Sequence, residues 1–168
     1  MPPPEESIVV SRLEPFEEFY RREYRRLVAL AYALSGSRVA AEDLAQEACL
    51  VAHKQWERIG QLEQPAAWVR KVLSNMAISN YRRRLAEAKA LARLAGRRQD
   101  FEVAPEDENF WKQVRRLPGK QAQAIALYYL EDRPVTEIAT ILDCSPNTAK
   151  VHLFKGRQKL AEMLGVQV

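Results

Sequence analysis

The sequence has few of the residues that mark several large classes of protein. Only 2 of its 168 residues are cysteine, and neither Cys49 nor Cys144 belongs to a CxxC or Cys/His pattern, which argues against a disulfide framework or a structural zinc site. No apolar run approaches the roughly 20 residues that span a bilayer. The first residues, MPPPEES, lack the basic and then apolar segments of a signal peptide. These absences predict a cytoplasmic chain without membrane insertion.

Glycine is also scarce, at 6 residues, and the 9 prolines are no more than usual, while 47% of the chain is apolar and 29% is charged. This composition is typical of a folded globular protein, and 168 residues suffice for one ordinary domain or two small ones. Lys and Arg number 26 against 22 Asp and Glu, a net charge of +4. Such a mild excess does not indicate a partner by itself. Any indication must come from where the charges lie along the chain.

Apolar residues recur at helical spacing along the chain, and no alternating strand pattern is evident. A first helix is predicted to end at Gly36, Ser37 caps a second, and Pro65 opens a third that includes the Arg82–Arg84 run. We therefore expect an all-α chain whose N-terminal half is a three-helix domain.

The remaining segments predict a second small helical domain. Residues 89–107 combine mixed charge with Gly and Pro, which is typical of a flexible linker, here with a frayed helical start. Beyond the linker, helical patterns are separated by breaks near Pro118, Pro134 and Ser145. The predicted organisation is a tail over 1–15, a first domain over 16–88, the linker over 89–107 and a second domain over 108–168.

The most informative motif is a helix-turn-helix near the C-terminus. Val135–Leu142 predicts a short helix, Asp143–Ser145 a turn, and Pro146 opens a longer helix. At 100° per residue, one face of this helix carries Ala149, Leu153, Gly156 and Leu160, and the opposite face carries Asn147, Lys150, Val151, Phe154 and Lys155. The first face suits packing and the second suits a major groove. The alternative is an exposed basic helix of an ordinary helical domain.

A second stretch without acidic residues runs from Trp68 to Arg84. Its cations alternate with aromatic and amide side chains, a combination that suits single-stranded nucleic acid because bases stack while backbone charge is neutralised. The alternative is a basic run that only complements the negative end of a helix.

In this order and spacing, the segments resemble a bacterial RNA polymerase sigma factor of the extracytoplasmic-function type. The resemblance rests on Asp43–Glu47, Trp68–Asn75 with the arginine run after it, Leu117-Pro118, and Thr148–Lys155. It implies a promoter-recognition subunit that is not an enzyme, needs no cofactor or metal, and consists of sigma domain two and sigma domain four. Its implied partners are core RNA polymerase, through the clamp coiled coil and the flap, double- and single-stranded promoter DNA, and an anti-sigma factor.

The same resemblance implies three sets of site residues. The set for core polymerase is Asp43, Gln46 and Glu47. The set for the minus-10 element is Trp68, Arg70, Lys71, Asn75, Asn80, Tyr81, Arg82, Arg83 and Arg84, with Asn75 and the loop Ile59–Gln64 forming a pocket for a flipped base. The set for the minus-35 element is Asn147, Thr148, Lys150, Val151, Phe154, Lys155 and Arg157.

Other interpretations stay open at this point. A helix-turn-helix regulator with an N-terminal dimerisation or sensing domain shares the C-terminal motif, and a small recombinase is an enzymatic alternative that lacks the expected strands. Asn75 could be an ordinary exposed helix residue. Cys49 and His53 could form a metal pair, although a buried thiol beside an amphipathic imidazole fits better.

Overall fold

The computed structural model describes residues 13–96 and 106–166, which form eight α-helices and no strand. The helices are α1 (Phe16–Ser35), α2 (Arg38–Lys54), α3 (Trp56–Ile59), α4 (Pro65–Ala95), α5 (Glu106–Arg115), α6 (Gly119–Tyr129), α7 (Val135–Leu142) and α8 (Pro146–Leu164). The prediction of an all-α chain is confirmed.

The predicted helix ends follow from local chemistry. Gly36 adopts φ 73°, a left-handed conformation that glycine accepts without strain, and its N–H bonds to the Tyr32 carbonyl. The Ser37 side chain then accepts a hydrogen bond from the Ala40 N–H and caps α2. Pro65 occupies the first turn of α4, where its missing N–H costs no hydrogen bond.

One boundary differs from what the sequence pattern indicates. The apolar spacing of the second helix continues to Trp56, but the chain turns at Gln55 and Trp56 begins the separate helix α3. The turn places the Trp56 ring against Phe16 and Phe19 and lets its indole N–H donate to the Glu14 carbonyl. Helix α4 continues to Ala95, so the first part of the predicted linker is helical.

The two halves of the chain, α1–α4 and α5–α8, share one hydrophobic core. Helices α1 and α4 of the first half contact α5, α6 and α7 of the second. The buried side chains Leu27, Leu73 and Ile125 belong to one cluster that spans both halves. This packing brings the C-terminal half onto one side of α4, the helix that carries the second acid-free stretch.

No helix within residues 13–96 and 106–166 is both long enough and apolar enough to cross a membrane.

Candidate functional site

The helix-turn-helix has the two faces that its sequence predicts. Ala149, Leu153, Gly156 and Leu160 are buried, and α8 packs closely on α6 at Gly156, where an added Cβ would lie 3.0 Å from the Ile125 side chain. The opposite face is exposed, with Val151 at 47% and Phe154 at 61% of their full accessibility. Two apolar side chains of α8 therefore face solvent among cations.

The start of α8 is held in place by its own cap. The Ser145 hydroxyl accepts from the Thr148 N–H at 3.1 Å and lies 2.9 Å from the Thr148 hydroxyl. Asp143 adopts φ 57° at the end of α7, and this left-handed residue turns the chain toward α8. The cap and the turn together fix the direction in which α8 projects from the protein.

All seven residues predicted for the minus-35 element are exposed on α8. Arg157 differs from the others because its Nε donates to the Tyr129 hydroxyl at 2.9 Å and its guanidinium lies 4.7 Å from the Tyr128 ring centre. Burial alone would lower the pKa of Arg157, but the hydrogen bond to Tyr129 raises it. Arg157 is thus a cation already held by two tyrosines.

Helix α2 and the start of α1 form an exposed groove. Asp43, Gln46 and Glu47 lie on its edge as expected. Its apolar part includes Leu50, which is 52% exposed, and Tyr20. The sequence interpretation missed both as site residues: the signal for Leu50 is an apolar position on the polar side of α2, whereas Tyr20 lies on α1. A groove with acidic and apolar parts fits a partner that is basic and apolar.

Arg70 requires a correction to the predicted minus-10 set. Its side chain is fully buried, and it donates to Glu23 at 2.7 Å and to Glu131 at 2.8 and 3.0 Å. Burial alone would lower its pKa, but these two carboxylates raise it. Arg70 therefore holds the two halves together in this arrangement and cannot reach a DNA phosphate.

Glu23 is the carboxylate from the first half in this cluster. Burial alone would raise its pKa, but the hydrogen bonds and charges of Arg70 and Arg22 lower it. Glu131 also accepts from Arg133 at 2.9 Å. The cluster of Glu23, Arg70, Glu131 and Arg133 is thus a buried ionic network across the interface between the halves.

Two more predicted minus-10 residues are engaged by the C-terminal half. The Gln123 amide donates to the Asn75 side-chain oxygen at 2.8 Å and to the Ser74 hydroxyl at 3.1 Å. Lys71 lies 3.1 Å from Asp143, in an ion pair whose partners are both substantially exposed. Asn75 and Lys71 therefore each have a partner in the second half of the chain, while their side chains also remain substantially exposed to solvent.

The cleft that the structure describes beside Asn75 contains no residue of the loop Ile59–Gln64. Asn75 lies ten residues after Pro65 on α4, roughly 15 Å along the helix at 1.5 Å per residue. The cleft beside Asn75 is lined by side chains of α2 and α4, namely Leu44, Glu47, Met76, Ser79, Asn80 and Arg83. Asn75 thus lines a cleft between α2 and α4, and a pocket shared with the loop stays a prediction.

The other members of the minus-10 set differ in exposure. Arg82 and Arg83 are exposed, while Trp68, Asn80, Tyr81 and Arg84 are partly buried. Arg84 donates to Asn80 at 2.8 Å and also to the Ser35 carbonyl, so it braces α4 against α1. Trp68 lies under the Arg58 guanidinium at 5.9 Å. Arg82 and Arg83 are the most available cations of this set.

Cys49 is a buried thiol, as the sequence favoured. It is 2% exposed, and burial raises its pKa to about 11. The neutral thiol is a poor metal ligand, and the His53 ring packs 4.9 Å from Phe16. Packing therefore accounts for both residues.

Family comparisons match both halves of the chain. Residues 19–87 match the family described as Sigma-70 region 2, and residues 107–160 match Sigma-70, region 4. The ECF RNA polymerase sigma factor EcfG of Rhodopseudomonas palustris is 30% identical over 148 residues, which covers 83% of this chain and 80% of that protein. The probable RNA polymerase sigma factor RfaY of Xanthomonas campestris is 28% identical over 145 residues, 78% of this chain but 36% of that protein.

A solved structure is also similar. It is the co-crystal structure of the sigma factor RpoE with the anti-sigma factor NepR from Bartonella quintana. The sigma factor superposes with a TM-score of 0.66 at 25% identity, over 91% of this chain and 98% of that one.

Proposed function

Because this chain belongs to the ECF family of RNA polymerase sigma factors, which direct promoter-specific transcription, we propose that its two halves bind different parts of the transcription complex. Helices α1–α4 bind core RNA polymerase and the melted minus-10 element, and helices α5–α8 bind the minus-35 element. The chain acts in the cytoplasm as a specificity subunit and performs no chemical step of its own.

The observation that best supports this proposal is the exposed face of α8. Lys150 and Lys155 supply positive charge for phosphates or guanine edges, and Val151 and Phe154 offer apolar contact to thymine methyl groups. Val151 and Phe154 lie three residues apart on this face, so their exposed side chains form one apolar patch between the two lysines.

In the first half, the acidic edge of the α2 groove suits the polymerase clamp coiled coil. Asp43 and Glu47 are one helical turn apart and both exposed. Tyr20 and Leu50 add apolar area beside them, so docking combines charge with burial. Arg82 and Arg83 on α4 bind the backbone of the melted strand.

Promoter binding also requires the two halves to separate. Asn75 and Lys71 are engaged by Gln123 and Asp143, so the C-terminal half lies over part of the face that would contact the minus-10 element. The packed arrangement is then the free form, and the polymerase complex is the opened form.

An anti-sigma factor is a further proposed partner. The support is the similarity to RpoE, whose structure was solved with the anti-sigma factor NepR. Such a partner would compete with core polymerase for this chain.

The proposal is tested by transcription from sheared genomic DNA with purified core polymerase, followed by sequencing of transcript 5′ ends. With the sigma factor present, we expect transcription to start at a small set of sites that share two upstream elements. Core polymerase alone should give no start sites with those elements. The Lys150→Ala and Lys155→Ala double variant should lose dependence on the upstream element. A control that removes two exposed cations of α1, Arg21→Ala with Arg25→Ala, should keep it.

Two results would contradict the proposal. One is start sites that are the same with and without the protein. The other is repression of transcription by the protein, which would identify a helix-turn-helix regulator instead.

A further inference from the structure

A cleft of about 450 Å³ lies where α4 meets the second half of the chain, away from the buried network of Arg70. We call it the cationic cleft. Helix α4 contributes Tyr81, Arg82 and Lys89, the end of α5 contributes Arg115 and Arg116, and α8 contributes Lys159. Both halves of the chain are needed to form it.

The charge in this cleft is of one sign. Five of its lining residues are Lys or Arg and none is Asp or Glu. None of these five cations forms an ion pair with a carboxylate among the side chains that the structure describes. At the other end of the same interface, Arg70 and Lys71 each have a carboxylate partner. The packed arrangement is thus neutralised at one end and positively charged at the other.

Among these cations, Arg115 has the least favourable electrostatic environment. Its guanidinium is half-buried against Gly36, where an added Cβ would lie 3.0 Å from Cζ, and its Nε donates to the Ala33 carbonyl at 2.9 Å. Burial lowers the pKa of Arg115 and the charge of Arg84 acts in the same direction, against opposing effects of Tyr32, Tyr81 and Glu108. A half-buried cation among like charges is stabilised by an anion.

The geometry favours an anion of several charges over a single ion. Arg82 reaches across the interface, since its Nη2 would lie 3.3 Å from a Cβ added at Gly119. A concave site lined by one sign of charge focuses the electric field more strongly than an open helix face does. Tyr81 adds an aromatic ring on which a base could stack.

We propose that the cationic cleft binds a ligand with two or more linked phosphate groups and that this ligand bridges the two halves of the chain. Two kinds of ligand carry linked phosphate groups: a nucleic acid, through its phosphodiester backbone, and a free nucleotide, through its polyphosphate. The cleft shares Tyr81 and Arg82 with the proposed minus-10 set, so its nucleic-acid arm rests on the proposed function. It shares no residue with the proposed contacts of α8 with DNA, because Lys159 lies outside that set.

The test is calorimetric titration of the whole protein with inorganic tripolyphosphate at low ionic strength, without polymerase. We expect saturable binding of one tripolyphosphate per chain. Replacing Arg116 and Lys159 by Ala should weaken binding at least tenfold, and Lys89→Ala alone should weaken it severalfold. The matched control, Arg21→Ala with Arg25→Ala, removes the same charge from exposed α1 positions and should stay within twofold of the unaltered protein.

Competition then identifies the source of the phosphates. Displacement of tripolyphosphate by an oligothymidylate of eight residues assigns the cleft to nucleic acid, and displacement by a nucleoside triphosphate alone assigns it to a free nucleotide. Absence of saturable binding, equal weakening in the control variant, or displacement by neither competitor would overturn the proposal.

Discussion

Arg70 is buried because both halves of the chain supply a carboxylate for it. Its sequence context, between Val69 and Lys71 on a basic helix, predicts a phosphate contact. Its partners Glu23 and Glu131 lie 47 and 61 residues away in sequence. No spacing rule connects groups so distant, so only the tertiary structure reveals that this arginine is an ion-pair residue.

Asn75 is the residue whose two possible roles can be separated by experiment. If it reads a flipped base, Asn75→Ala should cost about 1–3 kcal/mol at one promoter position. Permanganate reactivity of unpaired thymines should then fall on a duplex promoter and fall much less on a template already mismatched across the melted segment.

The matched variant is Gln123→Ala, which removes the partner of Asn75 in the packed form but no base contact. It should leave melting on both templates unimpaired. If Asn75→Ala and Gln123→Ala behave alike, Asn75 serves only the interface between the halves.

Among the elements, α8 was the most predictable and α4 the least. The buried and exposed faces of α8 follow from its 3.6-residue period, its cap and its proline, all of which are local. Helix α4 has 31 residues and contacts α1, α2, α6 and α7 in turn, so no single apolar stripe marks its faces. Its exposed and buried arginines look the same in the sequence.

Helix α2 carries a prediction about polymerase docking. Asp43→Ala with Glu47→Ala should weaken binding to core polymerase at least severalfold while the melting temperature changes little, because both side chains are exposed. Fluorescence anisotropy with labelled sigma factor measures the affinity. The control, Glu87→Ala with Glu162→Ala, removes equal charge from exposed positions of α4 and α8 and should bind core polymerase normally. Unaltered affinity of the α2 variant would show that the groove is not the docking site.

At the scale of the whole molecule, Glu131 is the best point at which to open the packed form. Its side chain is 6% exposed and bonds to both Arg70 and Arg133. Removing one partner of a buried pair costs about 3–5 kcal/mol, because the other charge stays buried. Glu131→Gln should therefore lower the melting temperature, increase the radius of gyration in solution scattering, and raise the rate of holoenzyme formation.

Glu137→Gln is the control for that variant. Glu137 pairs with Arg133 on the same half, at 3.1 Å and with 39% exposure, so its loss should leave the radius of gyration unchanged. An equally compact Glu131→Gln protein would show that the ionic network does not hold the halves together.

The sequence predicts the two helical halves and the recognition helix because those features depend on neighbouring residues. It does not predict that the halves pack together, because apolar residues that meet across the interface, such as Leu73 and Ile125, have the same helical spacing as those that pack within one half. The polar contacts, such as Asn75 with Gln123, are isolated pairs between residues far apart in sequence. The pattern of the linker also says nothing about which faces meet.

If α4 binds the minus-10 element as proposed, the packed arrangement makes the C-terminal half an intramolecular competitor of promoter DNA, because it contacts Lys71 and Asn75. Two groups on one chain meet at an effective concentration in the millimolar range for a short flexible connection. A partner that binds only the open form therefore has its apparent affinity reduced by the fraction of molecules that are open. When most molecules are closed, a change of about 1.4 kcal/mol in the free energy of closing changes the open fraction tenfold. On the proposed function, sequence changes at buried interface positions such as Glu131 therefore set how readily the minus-10 face becomes available, without altering any residue proposed to contact DNA.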